Sequence, residues 1–132
     1  MSEKLILTNN PMVEIPPDQA GTQKVEGLGL AAVLLAAIDL VQAGYKLVSA
    51  PLPPNVPLIR APYRSLILEK NDRQYDADGL KALDRALERV RTLTETRLPP
   101  GPDQANDAAF IDRDLLGRAL SECLSLSQMA RG

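Results

Sequence analysis

The stretch from Gly29 to Gly44 constrains the fold more than any other part of the chain. It reads GLAAVLLAAIDLVQAG, with Asp39 and Gln42 as its only polar side chains. An apolar run of this length predicts a helix of about four turns that must be covered on more than one face. It is shorter than the ~20 residues that a membrane span requires, and Asp39 interrupts it. We therefore expect a buried or interfacial helix and no membrane association.

The remaining pattern predicts a small α/β fold. Short apolar runs on both sides of the Gly29–Gly44 helix are typical of buried strands, and a strand, a helix and a strand at this spacing predict a parallel β-α-β start. We expect a short sheet of about three strands covered by about three helices. One domain is predicted over residues 1–127, with a frayed tail at 128–132. The predicted strands are Lys4–Leu7, Lys46–Ser49 and Ser65–Glu69.

A proline-rich segment and a second helix lie in the middle of the chain. The segment Pro51–Pro62 contains five prolines, so it can be neither a helix nor a central strand, and we interpret it as an ordered loop. It is either a rigid connector or a wall over a ligand site. The second helix is predicted to begin at Asp76 or Asp78 and to run to about Thr96, because leucines and valines recur there at helical spacing.

A third helix is predicted to follow a surface loop that starts near Leu98. Asp112 is a suitable N-cap for this helix, since Ile111 and Leu116 stand at the spacing of a hydrophobic staple. The helix then presents one apolar face. Cys123 lies on that face, where we expect it to be a small core residue and not a reactive thiol.

Composition and charge exclude several function classes. The formal net charge is -2 with a pI of about 5.1, and aromatic residues make up only 3%, so a nucleic-acid partner is not expected. The absence of histidine removes the commonest metal ligand and the commonest general base, and a single cysteine permits no internal disulfide and no cysteine-rich metal site. We expect a cytoplasmic protein with no metal and no cofactor.

The polar residues with the best claim to a ligand site follow two predicted strands. Thr8, Asn9 and Asn10 leave the first strand, and Ser49 leaves the second. In a parallel crossover both exits lie at the same sheet end, where ligands of open α/β sheets bind. Hydroxyls and carboxamides there can bind a small polar ligand. The alternative is that these side chains only bond the backbone of local turns.

Tyr63 and Arg64 lie next to the proline-rich segment. They could add an aromatic wall and a guanidinium that pairs with an anion, or they could be an ordinary surface pair. No catalytic set can be assembled, because serine or cysteine nucleophiles need a nearby base and no histidine exists. Asp112 and Asp114 are two residues apart on a predicted helix and face different directions, so they form a poor carboxylate pair.

Four segments together resemble the GrdX-like family, whose members are small proteins encoded beside the glycine, sarcosine and betaine reductase components of amino-acid-fermenting bacteria. The resemblance implies an accessory role in reductase metabolism and no named reaction. The segments are Leu7–Pro11, Ala43–Leu52, Ala61–Leu68 and Phe110–Leu116.

Three hypotheses about function follow from the sequence. The first is a non-catalytic accessory protein that contacts an enzyme complex or holds a small polar ligand. The second is a small enzyme without histidine that binds its substrate at the carboxyl ends of the strands. The third is a structural module for protein–protein interaction. Because the Gly29–Gly44 helix is apolar nearly all round, a homodimer through this helix or a sheet edge is also expected.

Overall fold

A computed structural model of the protein describes residues 4–27, 29–52, 62–70, 75–94 and 102–131. The predicted class, a small α/β domain with a short sheet and about three helices, is confirmed. The boundaries of the domain and of its tail stay predictions. In chain order the elements are β1 (Lys4–Thr8), β2 (Gly21–Lys24), α1 (Leu30–Gln42), β3 (Tyr45–Leu47), β4 (Ser65–Lys70), α2 (Ala77–Thr94) and α3 (Pro102–Arg131).

The sheet is mixed, with its four described strands in the order β2-β1-β4-β3. β1 is parallel to β2, and β4 is antiparallel to both of its neighbours. The parallel pair at the start of the sheet is therefore formed by β1 and β2. The strand that follows α1, β3, runs in the same direction as β1, but β4 lies between them. The sequence of β2, GTQK, has no apolar pattern and is exposed throughout, which is typical of a polar edge strand.

One face of the sheet is covered by α1 and α2. Leu7 and Leu66 point from the sheet into this apolar core, where they join Val33 and Leu34 of α1 and Leu83 of α2. All five side chains are fully buried. The all-round apolarity of α1 is thus largely explained within the chain, because the sheet covers one side of the helix and α2 another.

The ends of α1 agree with the prediction. Gly29 precedes the helix with a φ of 100°, and Gly44 follows it with a φ of 112°, a conformation that side chains other than glycine rarely adopt. Leu35 is a large apolar side chain of α1 that stays exposed, and a homodimer through this helix stays a prediction. Within the described ranges, no helix is long and apolar enough to cross a membrane.

The opposite face of the sheet is covered by α3 and by the segment between β1 and β2. Ile6 and Ile67 form the sheet side of this second core, which Leu116 and Leu120 of α3 and Val13 close. Cys123 packs against the same cluster, as predicted for a small core residue.

The predicted start of α3 is wrong. The helix is continuous from Pro102, so Asp112 lies in its interior and is not an N-cap. The Asp112 side chain faces the sheet and accepts hydrogen bonds from residues that are distant in the chain. These bonds compensate for the burial of an aspartate in the interior of a helix. Asp76 does have the predicted capping role, because its Oδ1 accepts a hydrogen bond from Gly79 N at 3.0 Å. The part of the proline-rich segment at 53–61, and the predicted helix end near Thr96, lie outside the described residues.

Candidate functional site

The four segments that carry the family resemblance meet at the carboxyl end of β1. Thr8 is directly opposite Ser65 in the antiparallel pair of β1 with β4. α3 crosses this end of the sheet and places Asp112 against both strands. The segment after β3 brings Ser49 to the adjoining part of β4, where its Oγ accepts a hydrogen bond from Ile67 N at 2.9 Å.

Asp112 is the centre of a buried polar network and is 4% exposed. Its Oδ1 accepts a hydrogen bond from Ser65 N at 2.8 Å, and its Oδ2 accepts one from Ser65 Oγ at 2.6 Å. Asn10 Nδ2 donates to the same Oδ2 at 2.9 Å and to Ala109 O at 2.7 Å. These three hydrogen bonds give both oxygens of the buried side chain a partner.

The direction of each hydrogen bond in this network follows from its partners. Asn10 N can only donate, so Thr8 Oγ1 accepts from it at 3.0 Å. Ser65 Oγ donates its O–H hydrogen bond to the Asp112 carboxylate, and Thr8 Oγ1 must therefore donate to Ser65 Oγ across 2.7 Å. The bonds form a closed ring from Asn10 through Thr8, Ser65 and Asp112 back to Asn10. Each polar group of the ring is satisfied internally, as burial demands.

Asn9 joins the end of β1 to two other segments of backbone. Its Nδ2 donates to Pro62 O at 2.8 Å, and lies 3.1 Å and 3.3 Å from the carbonyl oxygens of Gly27 and Gly29. Its Oδ1 accepts from Arg64 N at 2.9 Å. The side chain thus holds the entry to α1 beside the entry to β4.

A cavity of about 280 Å³ opens between the sheet and α3, on the side of Ser49 and Arg64. Its polar lining comes from Ser49, Arg64 and Ser65, and its apolar lining comes from both layers. We name it the α3 cavity and define it by its described lining residues, Ser49, Ala50, Leu52, Arg64, Ser65, Ile67, Leu115, Leu116 and Ala119.

Arg64 is the cation of the α3 cavity and is only 7% exposed. Its Nη2 donates to Ala50 O at 2.6 Å, whereas its Nε is buried and has no hydrogen-bond partner among the described residues. Burial lowers the pKa of Arg64, and the negative charge of Asp112 opposes this shift. A guanidinium remains protonated at any physiological pH, so Arg64 is a buried and incompletely bonded positive charge.

The structure brings two of the predicted site residues, Ser49 and Arg64, to the wall of the α3 cavity. Thr8, Asn9 and Asn10 lie beside it as buried members of hydrogen-bond networks. The side chains of Thr8 and Asn10 bond local backbone, as in the turn interpretation, and all three side chains bond distant segments of the chain. Tyr63 is half-buried next to Arg64 and does not belong to the described lining. Whether these residues bind a ligand stays a prediction.

Asp112 and Ser65 are functional candidates that the sequence interpretation did not identify. The available signal was the position of Asp112 on the helix face that also carries Leu116 and Leu120, at spacings of four residues. A carboxylate on an apolar helix face is buried and needs hydrogen-bond partners in the interior. A carboxylate at a helix N-cap does not, so the prediction that Asp112 is an N-cap did not include buried partners.

In the part of the chain that the structure describes, no group of three or more aspartate, glutamate or cysteine side chains could hold a metal ion.

Comparison with known proteins identifies the family of this chain. A search of curated proteins found no match, and neither did a search of solved structures. A family model described as GrdX-like protein matches residues 5–121, a span that runs from the second residue of β1 into α3. The chain therefore belongs to the GrdX-like protein family.

Proposed function

We propose that this protein is a non-catalytic accessory protein that binds a small polar ligand in the α3 cavity. The proposal rests on the burial and the incomplete hydrogen bonding of Arg64. A charge that is 7% exposed, with a buried Nε that lacks a partner, is costly for the fold unless something else compensates it. A ligand in the adjoining cavity supplies that compensation, because Arg64 forms part of the cavity wall.

The size and lining of the α3 cavity support a ligand of metabolite size. At about 280 Å³ it lies near the lower end of the range typical of small-molecule pockets. Most of its described lining is aliphatic, and the few polar groups lie together on the sheet side. Such a distribution is typical of sites that orient a small molecule by one polar end.

The hydrogen bonding of the neighbouring side chains favours binding over catalysis. Thr8 and Asn10 are completely buried, and their side chains are bonded within the ring that includes Asp112. Groups held in this way are not free to exchange protons with a substrate or to attack it. They support the cavity by fixing α3 against the end of β1.

The family supplies a context for this activity. Membership in the GrdX-like family supports a role beside the enzymes that reduce glycine, sarcosine or betaine, in the cytoplasm. In this role the protein would hold a small metabolite or pass it to an enzyme complex without converting it. Contact with the reductase components is part of the same proposal.

The test is binding of small metabolites to the full-length protein by isothermal titration calorimetry. The panel contains butyrate, butanamide, butylamine, glycine, sarcosine and betaine. We expect at least one compound to bind the native protein and to lose measurable affinity in Ala119→Phe, which fills the α3 cavity from the helix side. Arg118→Met is the matched control, because Arg118 is the neighbouring residue and its side chain is 79% exposed in a pair with Asp114.

Two results would overturn the proposal. One is that no compound of the panel binds, with circular dichroism showing that the protein is folded. The other is binding that persists unchanged in the filled-cavity variant. Proton NMR of each bound compound after long incubation tests the non-catalytic part, and the appearance of a product would favour the small enzyme instead.

A further inference from the structure

We infer that the α3 cavity selects a short aliphatic monocarboxylate, with the carboxylate on Arg64 and the alkyl part against α3. This inference rests on the proposed function and specifies the chemical class of its ligand. It draws on the buried Arg64 guanidinium, on the mainly aliphatic walls of the cavity, and on the nearby Asp112, whose oxygens already accept hydrogen bonds from the chain.

The described lining of the cavity carries one positive charge, which a ligand with one negative charge would neutralise. Arg64 is the only cationic side chain in the described lining, and no described carboxylate lies within ion-pair distance of it. Asp112 is near enough to interact with Arg64 electrostatically, but both of its oxygens are engaged by Ser65 and Asn10. The guanidinium therefore carries a positive charge that no described carboxylate pairs with, and Arg64 brings this charge to the wall of the α3 cavity, where an anion from outside the chain can meet it.

A carboxylate suits this donor arrangement. A guanidinium offers neighbouring N–H groups in a planar fork, and a carboxylate accepts from two of them at once. Ser49 and Ser65 lie on the same side of the cavity, but the O–H of Ser65 already donates a hydrogen bond to Asp112. A doubly charged phosphate would need a second cation, which the described lining does not offer.

The remaining walls determine the other end of the ligand. Leu52 and Ile67 on one side and Leu115, Leu116 and Ala119 on α3 present only carbon atoms from their side chains. An ammonium group placed there would lose its hydration without gaining an acceptor. A quaternary ammonium prefers aromatic faces, and the described lining contains none. An alkyl chain fits this environment better than the amino group of an amino acid.

The decisive measurement compares butyrate with butanamide, which have nearly the same shape and differ in charge. We expect butyrate to bind the native protein at least about tenfold more tightly, because its hydrogen bonds to Arg64 are charge-assisted. In Arg64→Met this preference should disappear, since the variant keeps most of the unbranched apolar stem of the side chain and removes the guanidinium charge. Arg118→Met removes an exposed positive charge from α3 and should keep the preference in full.

Each outcome either supports the inference or contradicts it. Equal binding of butyrate and butanamide to the native protein would refute the carboxylate while leaving the proposed function intact. Tighter binding of glycine or betaine than of butyrate would refute the aliphatic part. If Arg64→Met does not fold, the comparison of the two compounds on the native protein still decides between these outcomes. A complete absence of binding by the whole panel would refute the proposed function itself.

Discussion

The two faces of the sheet are built on different physical principles. On the face covered by α1 and α2, the buried contacts are aliphatic, and the elements are held by the burial of carbon surface. On the face covered by α3, a smaller aliphatic core is continued at the sheet end by Asn10, Asp112, Ser65 and Thr8. These four residues make a closed set of hydrogen bonds across three segments of the chain, which includes the backbone N–H of Asn10.

The difference shows what each face contributes. Aliphatic packing is tolerant of small rearrangements, so the α1 and α2 face supplies stability without fixing a particular atom. A buried carboxylate with three donors has one satisfactory geometry, so the α3 face fixes the position of its helix closely. The α3 cavity lies on this second face, where Ser65 belongs to both the network and the lining.

The largest expected effect is the loss of Asp112. Asp112→Ala leaves Ser65 N, Ser65 Oγ and Asn10 Nδ2 without this acceptor and removes the negative charge that interacts with Arg64. We expect the free energy of unfolding to fall by about 3–5 kcal/mol, the range found when one member of a buried charged network is removed. Urea denaturation followed by circular dichroism measures it.

The matched control is Asp114→Ala, two residues further along α3. Asp114 is 54% exposed and pairs with Arg118 at 3.2 Å on the helix surface. An exposed pair of this kind contributes at most about 1 kcal/mol. If the two variants had similar stability, the network would not hold α3, and the proposed contrast between the faces would be wrong.

A slightly smaller effect is expected from the aliphatic face. Leu34 of α1 is completely buried against the sheet and α2, so Leu34→Ala should lower the free energy of unfolding by about 2–5 kcal/mol. Leu35 is the neighbouring residue on the same helix but is 45% exposed. Leu35→Ala should change the stability by about 0.5 kcal/mol or less in the monomer.

The same urea titrations compare this pair of variants. An equal loss in both would mean that Leu35 is also buried in solution, which would support the homodimer predicted from the apolarity of α1. Multi-angle light scattering of the native protein and Leu35→Ala then distinguishes a dimer from a rearranged monomer.

The sequence predicted most of the aliphatic face, since hydrophobic periodicity depends on local spacing. α1 and β4 were located closely because their apolar runs end at recognisable breakers, such as Gly44. β2 was not predicted as a strand, because its exposed polar residues carry no strand signal and its pairing with β1 is a tertiary contact.

The polar face was predicted only in part, for a related reason. The polar residues at the end of β1 could be predicted as site candidates from their position: Thr8, Asn9 and Asn10. Their hydrogen-bond partners could not be predicted, because they are up to about a hundred positions away in the chain. Asn10 and Asp112 meet only because α3 crosses the sheet. Local rules assigned Asp112 to a helix end, where an aspartate is common, and could not show the buried interior position that the fold gives it.

Asn9→Ala should cost less stability than Asp112→Ala or Leu34→Ala, and it is the most specific test of how the polar side chains are used. Asn9→Ala removes the donor to Pro62 O and the acceptor of Arg64 N, so we expect a loss of about 1–3 kcal/mol. Asn9→Asp keeps the acceptor but directs a carboxylate oxygen toward the carbonyl oxygens that Nδ2 now contacts. This variant should therefore be at least as unstable as Asn9→Ala. If it were as stable as the native protein, the amide would be oriented the other way round, and Asn9 would not connect the entry of α1 to Pro62 as a donor.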